Sequence, residues 1–317
     1  MAARRIPLLR PPAYVRQDGR TLLITHSWDA TSDVLVEHLG AENVFRLNSD
    51  LYAETVIEID ESSLRIAYGD DAINFEDVAK VVWWKAFNGK ISADAYIEAE
   101  VRYILREIYN LFEVSGKCVL TRPHSDQYHG KISQMKLARN FFAVPQWCVT
   151  LNDSSSRLSN RVVVKSLSSE QVTEGKVLFT REVDPAALAS QYPWFTQHLV
   201  DAEEDLTVVY LYGRTFGFTL DRRSFEGLDW REHCVTGPLP WQPADLPVWF
   251  VDKIRGFMGE LQLNFGRLDF LRAGGVTHFL EVNSNGQWAW LDPGGEYGLL
   301  QAIVQAVHPR TPMPACG

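Results

Sequence analysis

Asp269 and the pair Glu281-x-Asn283 are the residues whose types and spacing point most directly to chemistry. Two carboxylates and an amide oxygen, with no His or Cys among them, form a hard, all-oxygen donor set. Such a set suits Mg²⁺ or Mn²⁺ shared with substrate phosphates and is a poor match for zinc. All three lie in FGRLDFLRAGGVTHFLEVNSNGQWAWLD, residues 265–292, which patterns as two β-strands joined near Gly274-Gly275. Side chains two apart in a strand share a face, roughly 6 to 7 Å apart. Glu281 therefore points with Asn283 and Arg267 with Asp269, while Leu280, Val282, Leu268 and Phe270 turn toward a core. Asp269 meets Glu281 only if paired residue numbers sum to an even value. A three-residue loop at Ala273 to Gly275, pairing Arg272 with Val276, satisfies this. A two-residue Gly274-Gly275 turn does not, unless a bulge compensates.

Cations at fitting places come earlier in the chain. Lys165 ends the run RVVVK, before the Ser/Thr-rich KSLSSEQVTEGK. A point charge followed by backbone amides and hydroxyls is a phosphate grip, and the loop from Ser166 to Gly175 is a candidate lid. Lys131 starts a helix, whose N-terminal dipole also favours anions, with Lys136 as competitor on another face. The segment FTQHLVDAEEDL resembles a hinge: backbone groups there can pair with an adenine, and Asp205 or Glu203 can accept from a ribose. Arg222, Arg223, Arg231 and Arg267 are available to hold phosphate oxygens bidentately, and Arg267 alone shares the face expected of Asp269.

The elements that must position these groups follow from the pattern. TLLIT, a helix from Thr31 to Leu39 closed by Gly40, and NVFRL make a β-α-β opening and imply a parallel sheet. TVIEI and SLRIAY form an appended hairpin, and VVWW at 81–84 is a buried strand ending at Lys85. Asp94 caps a long amphipathic helix carrying Ile97, Val101, Ile104, Leu105, Ile108, Leu111 and Phe112, stopped at Gly116. A second helix is expected from Tyr128 to Phe142, followed by strands QWCVT, RVVVKSL and KVLFTREV. A hairpin then turns at Gly213, and a helix opened by Pro247 carries Val251, Ile254, Phe257, Met258 and Leu261. A last helix spans Gly298 to Val307.

Composition bounds the alternatives. The chain has 317 residues, 46% of them hydrophobic, and a net charge of −9, so a general nucleic-acid footprint is excluded. No apolar run is long enough to span a bilayer. The basic, Pro-broken first twenty residues are expected to be a tail and not a secretory signal. Cys118, Cys148, Cys234 and Cys316 are scattered without metal or disulfide spacing, which fits a reducing cytoplasm. The histidines lack ligand spacing, and no nucleophile elbow, Walker loop or dinucleotide fingerprint is present.

Taken together, Lys131, Lys165, the hinge, Asp205, Asp269 and Glu281-x-Asn283 resemble an ATP-grasp enzyme from about Thr21 to Pro309. FLEVNSNGQWAWLD and the Asp-Trp-Arg at 229–231 resemble, more narrowly, the microviridin-type graspetide peptide ligases, with the ribosomal-protein glutamate ligases as broader relatives. The resemblance implies mixed α/β and α+β architecture: a tail (1–20), a Rossmann-like pre-ATP-grasp domain (21–120), a central subdomain (121–196), a C-terminal subdomain with the metal site (197–309) and a short tail. It assigns Lys131 and Lys165 to the nucleotide phosphates, Gln197, His198 and Leu199 to the adenine, Asp205 to the ribose side, and Asp269, Glu281 and Asn283 to Mg²⁺. Thr207 departs from the glutamate-ligase pattern, which carries Arg there, and Arg222, Arg223 or Arg267 would compensate.

The activity so implied is ATP-dependent activation of Asp or Glu side chains of a ribosomally made precursor peptide as acyl-phosphates. Ser, Thr or Lys side chains of the same peptide then close the macrocycle, in the cytoplasm, with a homodimer as one arrangement. Two alternatives stand beside it: a ligase adding an amino acid to a protein or small acceptor, and an inactive nucleotide- or peptide-binding module.

Overall fold

A computed structural model describes residues 19–87, 89–122, 130–152, 158, 161–167, 179–233, 237 and 239–314. The chain opens as expected with a β-α-β unit: β1 (Arg20–Thr25), α1 (Ala30–Leu39) and β2 (Val44–Asn48), the two strands parallel. The Asp29 carboxylate accepts from the Ser32 N–H at 2.7 Å, capping an orphan donor at the start of α1. A hairpin, β3 (Thr55–Ile59) and β4 (Leu64–Tyr68), is extended by a third strand, β5 (Asp71–Asn74), into a small antiparallel sheet. The chain returns through β6 (Val78–Trp83), the long α2 (Ala95–Val114) and β7 (Cys118–Val119), completing a parallel sheet of order β2-β1-β6-β7. Asp94 caps α2, whose Leu105, Ile108, Tyr109 and Phe112 are buried against one face of that sheet.

The central part holds a short helix, α3 (Lys131–Ala138), then β8 (Trp147–Thr150), β9 (Val162–Lys165), β10 (Arg181–Val183) and β11 (Trp194–His198) in an antiparallel sheet of order β10-β9-β11-β8. α3 ends four residues before the expected Phe142, because Phe142 leaves the helical path to stack on Phe279 at 5.7 Å between ring centroids. The expected start at Tyr128 lies outside the described residues, as do the first part of KVLFTREV and most of the candidate lid.

The C-terminal part is a five-stranded antiparallel sheet. Its strands are β12 (Glu204–Leu211), β13 (Arg214–Asp221), β14 (Gln242–Ala244), β15 (Phe265–Ala273) and β16 (Val276–Asn283), in the order β14-β13-β12-β15-β16. α4 (Val248–Glu260) and α3 cover one face, where Phe142, Phe250, Phe257, Phe270 and Phe279 form an aromatic core. Phe250, not Val251, supplies the first buried position of α4. The last helix, α5 (Leu299–Val307), does not stay with this sheet. It packs on the first one: the Lys80 ammonium donates to Ala306 O and the Thr21 hydroxyl to Val307 O, at 2.8 and 2.7 Å. Leu23, Val82, Trp84, Val209, Trp288 and Ile303 therefore share one core, contributed from both sides of the expected boundary at 120.

The hairpin that carries the acidic residues takes the shorter of the two turns open to it, with a compensating bulge. Its turn is the two-residue Gly274-Gly275, both left-handed at φ 54° and 78°, with Ala273 paired to Val276. Carried through unbroken, that register would set Glu281 opposite Leu268 in the apolar core, a costly place for a carboxylate. A β-bulge at Leu280 prevents it: Phe270 pairs with Phe279, but Asp269 pairs with Glu281 and Arg267 with Asn283. Leu280 is thereby turned from its expected core position to the wall of the cavity described next.

Candidate active site

The central and C-terminal sheets face each other across a cavity of about 650 Å³, and the carboxyl end of β6 closes it with Trp83, Lys85 and Phe87. Of the twelve residues expected in a site, eleven line this cavity: Lys131, Lys165, Gln197, His198, Leu199, Asp205, Arg222, Arg267, Asp269, Glu281 and Asn283. Arg223 does not. Its side chain is 90% exposed and paired with Asp221, because the turn after β13 sends consecutive arginines to opposite sides.

On the acidic wall, β15 and β16 bring Asp269, Glu281 and Asn283 to one face. The Asn283 amide donates to Glu281 Oε1 at 3.4 Å. Asp269 accepts from Thr207 Oγ1 at 2.6 Å and pairs with Arg267 at 3.0 Å. Thr207, where the sequence resemblance leads us to expect Arg, sits directly opposite Asp269 on β12 and holds one of its oxygens. Among the described residues no three His, Cys, Asp or Glu side chains gather into a metal-binding group. The set is two carboxylates and an amide, leaving most of a coordination shell to other oxygens, as Mg²⁺ sites on phosphorylated substrates do.

α3 is locked onto this wall. Lys131 Nζ lies 3.0 Å from Glu281 Oε2 and also donates to Ser166 O. One turn on, Gln134 donates to Val282 O at 2.9 Å and accepts from Val282 N at 3.1 Å. An amide side chain thus pairs with the outer edge of β16 as a neighbouring strand would, between Glu281 and Asn283. Lys136, the competing lysine, is exposed. Burial pushes the Glu281 carboxyl upward, but Lys131, Lys165 and Arg231 overcome it and hold it at about 2.

On the basic wall, Lys165 Nζ donates to Gln197 Oε1 at 2.9 Å. Burial lowers the Lys165 ammonium to about 8, with Glu281 opposing and Lys131 reinforcing the shift. Gln197 is itself 1% exposed, and its amide nitrogen has no partner among the described residues. A buried donor aimed into a cavity marks a place for a ligand acceptor. At the hinge, the N–H groups of His198 and Leu199 are already given to Gln146 O and Arg161 O, at 2.8 and 3.0 Å, so any pairing of these two residues with an adenine falls to their carbonyls. Val200, which also lines the cavity, has no backbone partner for its N–H among the described residues.

Asp205 accepts from Arg222 at 2.8 Å, and burial raises its carboxyl to about 7 against that arginine's pull. It sits on the sheet with Asp269 and not out at the hinge. The alternative, Glu203, is exposed and accepts from Gly274 N at the hairpin tip.

Arg231 is the cation that the spacing of single residues did not single out. It pairs with Asp229 at 2.5 Å and lines the cavity near Glu281 and Asp269. Its signal was the Asp-Trp-Arg string, in which a carboxylate two residues ahead presets the guanidinium. Asp229 also accepts from Thr180 N at 3.0 Å, and Glu232 pairs with Arg181, so this segment clasps the central sheet across the cleft. Of the large aromatics, Trp84 and Trp288 are core, Trp83 lines the cavity, and Trp290 packs with Trp230 and Trp241.

No protein-family model and no curated protein sequence matches the chain. Solved structures do match. A RiPP-associated ATP-grasp ligase of Chryseobacterium gregarium, in complex with ADP and a leader and core peptide, superposes with a TM-score of 0.76 at 21% identity, over 93% of this chain and 98% of that one. The macrocyclase MdnC of Microcystis aeruginosa, bound with precursor peptide MdnA, gives 0.75 at 21% identity, over 91% and 99%. The ATP-grasp ligase PsnB, complexed with a phosphomimetic variant of its minimal precursor, Mg and ADP, gives 0.70 at 13% identity, over 92% and 98%. The architecture is the ATP-grasp ligase fold.

Proposed function

We propose that this ATP-grasp chain is an ATP-dependent peptide ligase that forms macrocyclic esters or amides within a ribosomally made precursor. The observation that carries the reading is the set of opposed charges in one cavity: Lys165 from the central sheet and Lys131 from α3 meet an all-oxygen acidic wall from β15 and β16. The likeness to ligases crystallised with ADP, Mg and precursor peptides supports the substrate class.

Lys131 and Lys165 hold the nucleotide phosphates, and Gln197 with the Val200 N–H receives acceptors of the base. Asp269, Glu281 and Asn283 hold Mg²⁺, which offsets charge on the phosphate oxygens when bound. An Asp or Glu oxygen of the peptide attacks the γ-phosphorus and ADP leaves. A Ser or Thr hydroxyl, or a Lys amine, of the same peptide then attacks the acyl carbon, inorganic phosphate leaves, and the attacking group gives up a proton. Arg231, Arg267 and Arg222 stabilise the negative charge of the acyl-phosphate. The clasp of Asp229 and Glu232 on Thr180 and Arg181 narrows the cleft over the intermediate and limits its hydrolysis. Among the described residues no helix is long and apolar enough to cross a membrane. Cys118 and Cys148 are free thiols, in keeping with a cytoplasmic enzyme.

The test is incubation with ATP, Mg²⁺ and a precursor peptide rich in Thr, Ser, Asp and Glu, followed by mass spectrometry. Each ring removes one water, and Asp269→Ala or Glu281→Ala is expected to abolish the loss while the fold persists. A mass gain with a second amino acid would replace this reading with an intermolecular ligase. Absence of ADP production with every candidate substrate would replace it with a binding module.

A further inference from the structure

The string after the acidic strand, Asn-Gly-Gln-Trp at 285–288, has no part in the chemistry above, yet it makes the contacts that join the first sheet to the acidic wall. Gln287 Nε2 donates to Asp29 Oδ2 at 2.8 Å, and Gln287 Oε1 accepts from the Thr31 hydroxyl. Both partners are buried at the start of α1, where the other Asp29 oxygen caps the helix. In the opposite direction, Gln287 O accepts from Arg267 at 3.0 Å, and the same guanidinium pairs with Asp269 at 3.0 Å. Gly286 permits this approach, since a Cβ there would lie 2.6 Å from Arg267 Cβ and 3.1 Å from Asn283 O. Trp288, fully buried, pins the far end of the string in the core shared by both sheets.

We infer that Gln287 is a positioning residue: its side chain straps the turn after β16 to the α1 cap of the first domain, and its carbonyl thereby fixes Arg267 and, through it, the Asp269 carboxylate. The inference rests on the reading of Asp269 as a divalent-cation ligand. Gln287 touches neither nucleotide nor peptide. Its effect is to make the geometry of the cation site depend on the seating of the first domain, so that a displaced first domain loosens Asp269.

Hydrogen-bond logic supplies the test. In Gln287→Glu the new carboxylate opposes that of Asp29 and the strap opens. In the double variant D29N/Q287E the new amide at position 29 donates to the new carboxylate. Thr31 still donates to its other oxygen, and Asn caps a helix as well as Asp does. D29N alone is expected to lose less than Q287E, because the Gln287 amide can flip to pair with Asn. The readout is the Mn²⁺ binding isotherm of the full chain in the presence of ADP, followed by electron paramagnetic resonance, beside the melting temperature of each variant.

Half-saturating Mn²⁺ is expected to rise about tenfold in Q287E and to return to within about threefold of wild type in D29N/Q287E, as loss and recovery of one strong hydrogen bond predict. A merely structural role would move the melting temperature and leave the Mn²⁺ isotherm unchanged. If Q287E does not fold, Gln287→Ala opens the strap without adding charge and is expected to show the same rise. Wild-type Mn²⁺ affinity in Q287E or Q287A, or a double variant no tighter than Q287E, would overturn the strap. Failure of the wild type itself to bind Mn²⁺ with ADP would overturn the parent reading and the strap with it.

Discussion

The alkaline titration of Lys165 is the most direct test of the basic wall. Burial brings its ammonium from 10.5 to about 8, so the phosphate grip loses its proton near pH 8 in the free enzyme. If only the protonated form binds nucleotide, the dissociation constant for ATP rises roughly tenfold between pH 7 and pH 9, and tenfold per unit beyond. The stability effect has the opposite sign. Between about 8 and 10.5 the unfolded chain keeps a proton that the folded chain has released, so stability climbs with pH by about 1.4 kcal/mol per unit across that window. Lys165→Arg is the control perturbation, because a guanidinium stays charged throughout the range. Isothermal titration with a non-hydrolysable ATP analogue from pH 7 to pH 9.5 should show the limb in wild type and a flat profile in K165R. A wild type that is flat to pH 9.5, or a K165R variant with the same limb, would refute the assignment of Lys165 to the phosphates. The limb of kcat should lie at higher pH than that of kcat/KM, since bound phosphate favours the ammonium.

Two arginines on opposite sides of the cavity boundary, Arg223 outside it and Arg231 in its lining, make a matched comparison. Arg223→Ala, in the exposed turn, should leave ring formation within about twofold of wild type, whereas Arg231→Ala should slow it by roughly a hundredfold, read as rates of water loss by mass spectrometry. Gln134→Leu strands the buried N–H and C=O of Val282 together, which should cost about 2 to 5 kcal/mol in urea unfolding; a loss below 1 kcal/mol would show that the edge of β16 finds other partners.

Much of the fold was legible because its signals are local. The β-α-β opening, the Asp94 cap with its long amphipathic stripe, and the paired strands around Gly274-Gly275 each follow from period, cap and turn chemistry within some twenty residues. What was not legible depends on partners distant in sequence. The stripe of α5 announces a buried face but not which sheet will cover it, and the first sheet does. Arg222 and Arg223 are chemically alike in sequence, and only the direction of the turn after β13 puts one on Asp205 and the other in solvent. The hinge N–H groups looked available for a base, because their use by Gln146 and Arg161 is a matter of tertiary placement. The acidic face was foreseen, but which of two turns would deliver it was not. Parity within a strand is a strict rule until a residue is extruded, and whether the core or the turn gives way is decided by the cost of burying Glu281.

The extruded Leu280 also divides the hairpin into two segments with separate accounts of register. Residues 276–279 answer to the Gly-Gly turn, and residues 281–283 answer to the strand that carries Asp269. Insertions and deletions during divergence are therefore not equivalent along this hairpin. Loss of Leu280 itself would leave every remaining cross-strand pair in place and simply straighten the ribbon. Loss of either neighbour would instead seat Leu280 in the vacated pair, so that the core loses the Phe279 ring or the acidic face loses the Glu281 carboxylate. Homologues that lack the extra residue should still present the acidic face, and a family tree of this hairpin should show length variation concentrated at this single joint and at the exposed tip.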